Sequence, residues 1–251
     1  MSNKIVAAID NSAAARPVLA SALALARVLG ASVEAIHVVD DGGGTAEASA
    51  ESFGVPFRTT TGNPFEVIVE LAAGDDVVAL AVGARGRPGG PRPAGHLALA
   101  LAGSIDKPVL VVPPDAHPHG SLQRVVVAME GTPDKARSAK RTVEVAAGAG
   151  LDLVVVHVDD ETTIPLFSDQ VQHETDAYAR EFLARYCRGA PEARLELRVG
   201  LPADEIMAAV DEVAPDIIAI GWPHSSEPGR GAVARQILDR SHTPVLLVAV
   251  A

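Results

Sequence analysis

Ile5-Val6-Ala7-Ala8-Ile9-Asp10 is the stretch that decides how this chain folds, because it returns 120 positions later as Val125-Val126-Val127-Ala128-Met129-Glu130. Outward from it, His37-Val38-Val39-Asp40 returns at the same offset as His157-Val158-Asp159-Asp160. Pro108-Val109-Leu110-Val111-Val112 returns as Pro244-Val245-Leu246-Leu247-Val248. Solenoid units repeat every ~20–50 residues, so a period this long is a duplicated domain. A length of 251 residues accommodates two domains of ordinary size, expected at 1–114 and 121–251. The duplication makes the chain its own control. What both copies keep reads as scaffold, and what one copy loses reads as function.

Each copy alternates short apolar runs with amphipathic stretches. The runs are 4–9, 32–39, 56–60, 77–82 and 109–112, then 124–129, 152–158, 195–199, 217–220 and 245–250. Four of the five in each copy are nearly continuous Val, Ile, Leu and Ala, the pattern of a parallel strand covered by helices on both faces. Between them, 13–29 reads as a helix stopped by Gly30. Another is expected over 64–73, with Asn63 as its N-cap and Pro64 at its first position. The expectation is an α/β fold: two doubly wound open parallel sheets of five strands each, in the order 3-2-1-4-5. Gly62-Asn63-Pro64 matches Gly200-Leu201-Pro202 at an offset of 138, so the second copy has gained residues between its second and third strands. They fall at 168–188, where Val171, Tyr178, Phe182 and Tyr186 have helical spacing; the first copy has only 41–54 there, read as a loop with at most a short helix. The last strands, 109–112 and 245–250, belong at sheet edges. A bare apolar edge invites pairing, so an intramolecular pseudo-dimer is expected, with these strands pairing antiparallel.

Composition narrows the function classes. Apolar residues make up 48% of the chain, enough for a core in each copy, while aromatics are only 3%. A net charge of −11 argues against a nucleic-acid-binding surface, which needs a basic patch. Cys187 is the single cysteine, which excludes an intrachain disulfide and a thiolate metal cluster. No apolar run approaches the ~20 residues of a membrane span, and no signal segment opens the chain. The expectation is a cytoplasmic protein.

In an open doubly wound sheet, ligands bind beyond the carboxyl ends of the strands, where strand order reverses. That singles out Asp10-Asn11-Ser12 after the first strand and the segment from Gly83 to His96 after the fourth. Gly83, Gly86 and Gly95 allow a ligand to approach the backbone. Gly95-His96 stands where the next helix must begin, so a phosphate there meets unpaired backbone N–H groups and the positive end of the helix dipole. Arg85, Arg87 and Arg92 add positive charge, and the Asp10 carboxylate can accept hydrogen bonds from a sugar or base.

These residues resemble the universal stress protein family over nearly the whole chain, as a tandem pair. The family's nucleotide-binding pattern is Gly, two residues, Gly, nine residues, then Gly-Ser or Gly-Thr. Here Gly83, two residues, Gly86 and eight residues lead to Gly95-His96, and eleven residues then precede Pro108. The resemblance implies adenosine held by Asp10 and the backbone near Val38, and phosphates held by Gly83, Gly86, Gly95 and His96, with Arg85 beside them. The implied ligand is ATP, with or without Mg2+. The loop is one residue short, His96 replaces the hydroxyl residue, and three prolines remove N–H donors. The second copy departs further: Gly221-Trp222-Pro223-His224 lacks the second Gly, the loop is shorter still, and Glu130 replaces the Asp. Trp222 is expected to fill the space a ligand needs, which makes the second site degenerate.

Blander readings stand beside these. A Gly/Pro/Arg segment is by itself a loop, and an Asp in Asp10's place is commonly a turn or cap residue. His37 and His157 recur at equivalent strand ends, which favours structural imidazoles over catalytic ones, and no Ser or Cys nucleophile accompanies them. His117 and His119 sit in the linker Pro113–Gly120 without carboxylate or thiolate neighbours, so a solvated spacer is preferred to a metal site. No dinucleotide fingerprint, P-loop or Gly-x-Ser-x-Gly elbow is present. Three functions are carried forward. The first is an ATP-binding stress-response regulator, the second a scaffold of the same family that binds protein partners and no nucleotide, and the third a slow ATP hydrolase. Homodimerisation beyond the internal pair is left open.

Overall fold

The structure, a computed structural model, describes residues 3–39, 44–84, 96–117, 120–130, 133–159, 171–223 and 231–250. The first half runs β1 (Lys4–Ala8), α1 (Ala15–Leu29), β2 (Ser32–Val38), α2 (Thr45–Ser52), β3 (Phe57–Thr60), α3 (Pro64–Ala72), β4 (Val77–Gly83), α4 (His96–Ala102) and β5 (Val109–Val112). The second runs β6 (Arg124–Ala128), α5 (Pro133–Gly148), β7 (Asp152–Asp159), α6 (Val171–Tyr186), β8 (Arg194–Val199), α7 (Pro202–Val213), β9 (Ile217–Pro223), α8 (Ala232–Arg240) and β10 (Val245–Val250).

The strands form one ten-stranded sheet in the order β3-β2-β1-β4-β5-β10-β9-β6-β7-β8. Each half has the expected 3-2-1-4-5 order, but the two expected sheets are continuous. They join where β5 and β10 pair antiparallel, with Leu246 opposite Leu110 and Val245 opposite Val111. The other pairs are parallel. The join has a plain cause. All four residues of β5 are fully buried, and each buried Val or Leu side chain is worth roughly 1.5–3 kcal/mol. An unpaired β5 would leave that surface and a row of backbone N–H and C=O groups in water.

Alternation along the strands sends side chains to two layers. Ile5, Ala7, Leu110 and Val112 face α1, α2, α5 and α6. Val6, Val109 and Val111 face α3, α4, α7 and α8. Matching helices of the two halves thus share a face, as a pseudo-twofold axis through the β5–β10 junction requires.

Local signals act largely as the sequence implies. Gly30 ends α1 in the left-handed region at φ 60°, and the Asn63 side chain caps α3 by accepting from the Phe65 and Glu66 amides. Gly62 and Gly200 occupy the same turn at φ 133° and 145°, a conformation that keeps glycine in both copies. The copies differ at the next residue: Leu201 gives α7 no side-chain cap and is 71% exposed. α6, with 16 residues against 8 in α2, supplies part of the length difference between the copies. The linker is more than a spacer, because Ala116 packs into the core and the Asp115 carboxylate pairs with His242 Nδ1 at 2.5 Å.

Candidate functional site

Strand order reverses at β1, which pairs with β2 on one side and β4 on the other. The carboxyl ends of β1 and β4 lie side by side, with Ala8 opposite Val82. Asp10 and Gly83 are therefore brought to the same edge of the sheet, and Val38, which ends β2, closes it on the other side of β1. Arg85, Gly86 and Gly95 lie outside the described residues. His96 is described as the first residue of α4.

Beyond β1 the backbone turns on side-chain hydrogen bonds. Asp10 Oδ1 accepts from the Ser12 amide at 3.0 Å and from the Ser12 hydroxyl, and Ser12 Oγ accepts from the Ala14 amide. This Asx turn leads the chain from β1 into α1. It occupies Oδ1 and fixes the direction of the carboxylate.

Asn11 carries a role that sequence reasoning missed. Its Oδ1 accepts from the Thr45 and Ala46 amides, both at 3.0 Å, and its backbone carbonyl accepts from Thr45 Oγ1 at 2.7 Å. Asn11 thereby caps α2 from 34 residues away, where Gly44 offers no side chain. With Oδ1 so used, Nδ2 faces His37 Nε2 at 3.2 Å and donates to it. His37 Nδ1 in turn donates to the Ile9 carbonyl at 3.0 Å. In this network Nδ1 is the donor and Nε2 the acceptor. His37 is 6% exposed, and both ring nitrogens are engaged, so the expected structural role fits it. The available signal was the repeat itself, in which Asn11 aligns with Gly131 while the histidine recurs.

In the second half His157 Nδ1 donates to the Met129 carbonyl at 2.8 Å, so this strand-end tie is scaffold common to both copies. The remaining surroundings differ. His157 Nε2 faces Asp159 at 3.3 Å, and Phe182 packs on the ring with centroids 4.9 Å apart.

The sharpest contrast follows the fourth strand of each half. Ala84, just beyond β4, is buried at 4% exposure, and Trp222 replaces it in β9 at the same exposure. The indole lies against Gly231, which precedes α8 at φ 72°. A Cβ on Gly231 would stand 2.7 Å from Trp222 Cζ3. Arg235 lies over the Trp222 ring, 5.3 Å from the centroid. The space between the fourth strand and the start of the following helix is thus filled in the second half by a side chain that the first half lacks.

Among the described residues there is no group of three or more His, Cys, Asp or Glu able to hold a metal, and no helix long and apolar enough to cross a membrane. The fold has counterparts in known proteins. The sequence matches the universal stress protein family over residues 1–54 and 121–249. The chain belongs to the universal stress protein family. The segment holding Gly83 to His96 lies outside the matched residues. No curated protein matches the chain. Among solved structures, a universal stress protein from Archaeoglobus fulgidus DSM 4304 superposes with a TM-score of 0.68 at 15% identity, covering 100% of both chains. A functionally unknown protein from Pseudomonas aeruginosa PAO1 superposes at 0.66 and 15% identity, covering 99% of this chain and 93% of its own. At these identities the likeness shows the fold, and it extends over both halves.

Proposed function

We propose that this universal stress protein is a regulator that binds one adenine nucleotide, ATP with or without Mg2+, at the β1–β4 edge of its first half. The observation that carries the reading is the exchange of Ala84 for Trp222. The first half keeps a small residue where the second places an indole against the helix start. Asp10 stands at the edge where strand order reverses, the location at which doubly wound sheets take ligands. In this reading Asp10 and the Val38 backbone hold the adenosine, and Gly83, Arg85, Gly86, Gly95 and His96 hold the phosphates. The protein acts by binding: ATP favours one arrangement of the loop after Gly83 over another, and the population shift is limited by the difference in affinity for the two.

Titration calorimetry with ATP tests it. Wild type should bind with a stoichiometry near one. Asp10→Ala should weaken binding at least about tenfold, the scale of a hydrogen-bonded charged group, whereas Glu130→Ala in the second half should leave it unchanged. No heat and no thermal shift at millimolar ATP would sink the reading in favour of a scaffold that engages proteins alone. Release of ADP or AMP at catalytic turnover would favour the hydrolase.

A further inference from the structure

The Trp222 side chain that fills the helix-start space of the second half also reaches the first half. Its indole belongs to the same buried layer as Ala98, Leu101 and Ala102 of α4. Gly103 follows α4 directly, and a Cβ built there would stand 4.0 Å from Trp222 Nε1. The same point lies 3.4 Å from the Leu99 carbonyl oxygen and 3.6 Å from that of Ala100. The opposite edge of the ring, at Cζ3, is the one that meets Gly231. The indole therefore bridges the start of α8 and the end of α4. Its N–H is buried and has no hydrogen-bond partner among the described residues. Packing between two glycines, and not a directed hydrogen bond, sets where the ring stands. The N–H lies beside the last carbonyls of α4, an end of partial negative charge where a donor is favoured.

We propose that Trp222 is a positioning residue for the first-half site. It fixes the end of α4 and, through that helix, the backbone at His96 where α4 begins. α4 has seven residues and is roughly 10 Å long. A helix that short is not stable by its own hydrogen bonds, so the contacts around it decide where it lies. The support runs one way. Ala84 holds the place of Trp222 in the first half, and a methyl group is too short to span the same gap towards α8. The proposal rests on the reading that gives phosphates to Gly95 and His96, and it adds a role for the second half: the side chain that closes one site holds the helix of the other.

The test compares the intact wild type with Trp222→Phe and with a control, Val143→Ala. Phenylalanine keeps a ring in the layer but ends short of Gly103. Val143 is fully buried in the opposite layer, so truncating it loosens the second half without touching α4. Hydrogen exchange reads the helix directly. The Ala100 amide, four residues into α4, should exchange at least about tenfold faster in Trp222→Phe and keep its wild-type rate in Val143→Ala. Calorimetry on variants that circular dichroism shows to be folded then reads the site. Trp222→Phe should weaken ATP binding about three- to thirtyfold, the range over which such indirect contacts act, and Val143→Ala should leave it unchanged. Gly103→Val crowds the same contact from the first half and should act as Trp222→Phe does, which keeps the test open if that variant does not fold. An unchanged Ala100 rate, equal effects of the Trp222 and Val143 variants, or full ATP affinity with a loosened α4 would each overturn the proposal. If the wild type binds no ATP, the nucleotide reading falls by itself. The exchange rates still decide whether Trp222 holds α4: a faster Ala100 supports it and an unchanged one overturns it.

Discussion

Gly231→Ala should destabilise this protein far more than a glycine-to-alanine change at a helix start ordinarily does. Two separable costs add. Gly231 has φ 72°, and placing an L side chain in the left-handed region costs roughly 1–2 kcal/mol. The new Cβ would also lie 2.7, 3.1 and 3.3 Å from three indole carbons of Trp222. That indole is 4% exposed and backed by Arg235, so it cannot swing into solvent without uncovering its buried surface. Overpacking of this kind costs roughly 1–3 kcal/mol, for a total of about 2–5 kcal/mol. Urea unfolding followed by circular dichroism measures it, with tryptophan emission as a second probe because Trp222 is the only tryptophan. Trp222→Ala should itself cost about 3–5 kcal/mol. In the double variant the steric part of the Gly231→Ala cost disappears and the backbone part remains, so the cycle should show a coupling of about 1–3 kcal/mol. A loss below about 1 kcal/mol for Gly231→Ala, or a coupling of zero, would refute the claim that the indole fills the helix-start space.

Asn11→Ala should cost about 1–2 kcal/mol, the scale of a lost N-cap, and hydrogen exchange should quicken selectively at the Thr45 and Ala46 amides. Cys187 is 3% exposed, and burial pushes its thiol up to about 11. Its labelling by a disulfide reagent at pH 8 should therefore be at least ~100-fold slower than that of a free thiol and become fast in denaturant. The carboxyl of Asp152 is held below its ordinary range first by the Arg124 hydrogen bond and then by Arg194, against the opposing effect of desolvation. A lowered folded value means that this stabilisation is present above the unfolded value of about 3.9 and is lost as pH falls through the folded one. Asp152→Asn should thus lower stability at neutral pH by no more than about 1 kcal/mol, since the pair is partly exposed. The gap to wild type should close below about pH 4 in urea titrations.

The duplication made most of the fold readable. Val109–Val112 could be assigned to an edge that must pair because four consecutive apolar residues leave neither face of the strand for water. The pairing of Leu110 with Leu246 follows once both copies carry the same strand. The candidate site was legible only in part. Asp10 is visible because it ends an apolar run, but its use in a turn with Ser12 depends on side-chain direction. Asn11 gave no local sign of capping α2, since its partners lie 34 and 35 residues away. Trp222 could be flagged by its place after Gly221, whereas its contact with Gly231 needed coordinates.

By itself the sequence determined the strand–helix alternation, the duplication and the need for the two halves to meet. Hydrophobic periodicity and edge burial are short-range properties that a repeat displays twice. Tertiary structure alone decided that the two sheets merge into one, that Asn11 and His37 tie three segments together, and that Trp222 meets Gly231. Each of these depends on which groups arrive at the same place from distant parts of the chain.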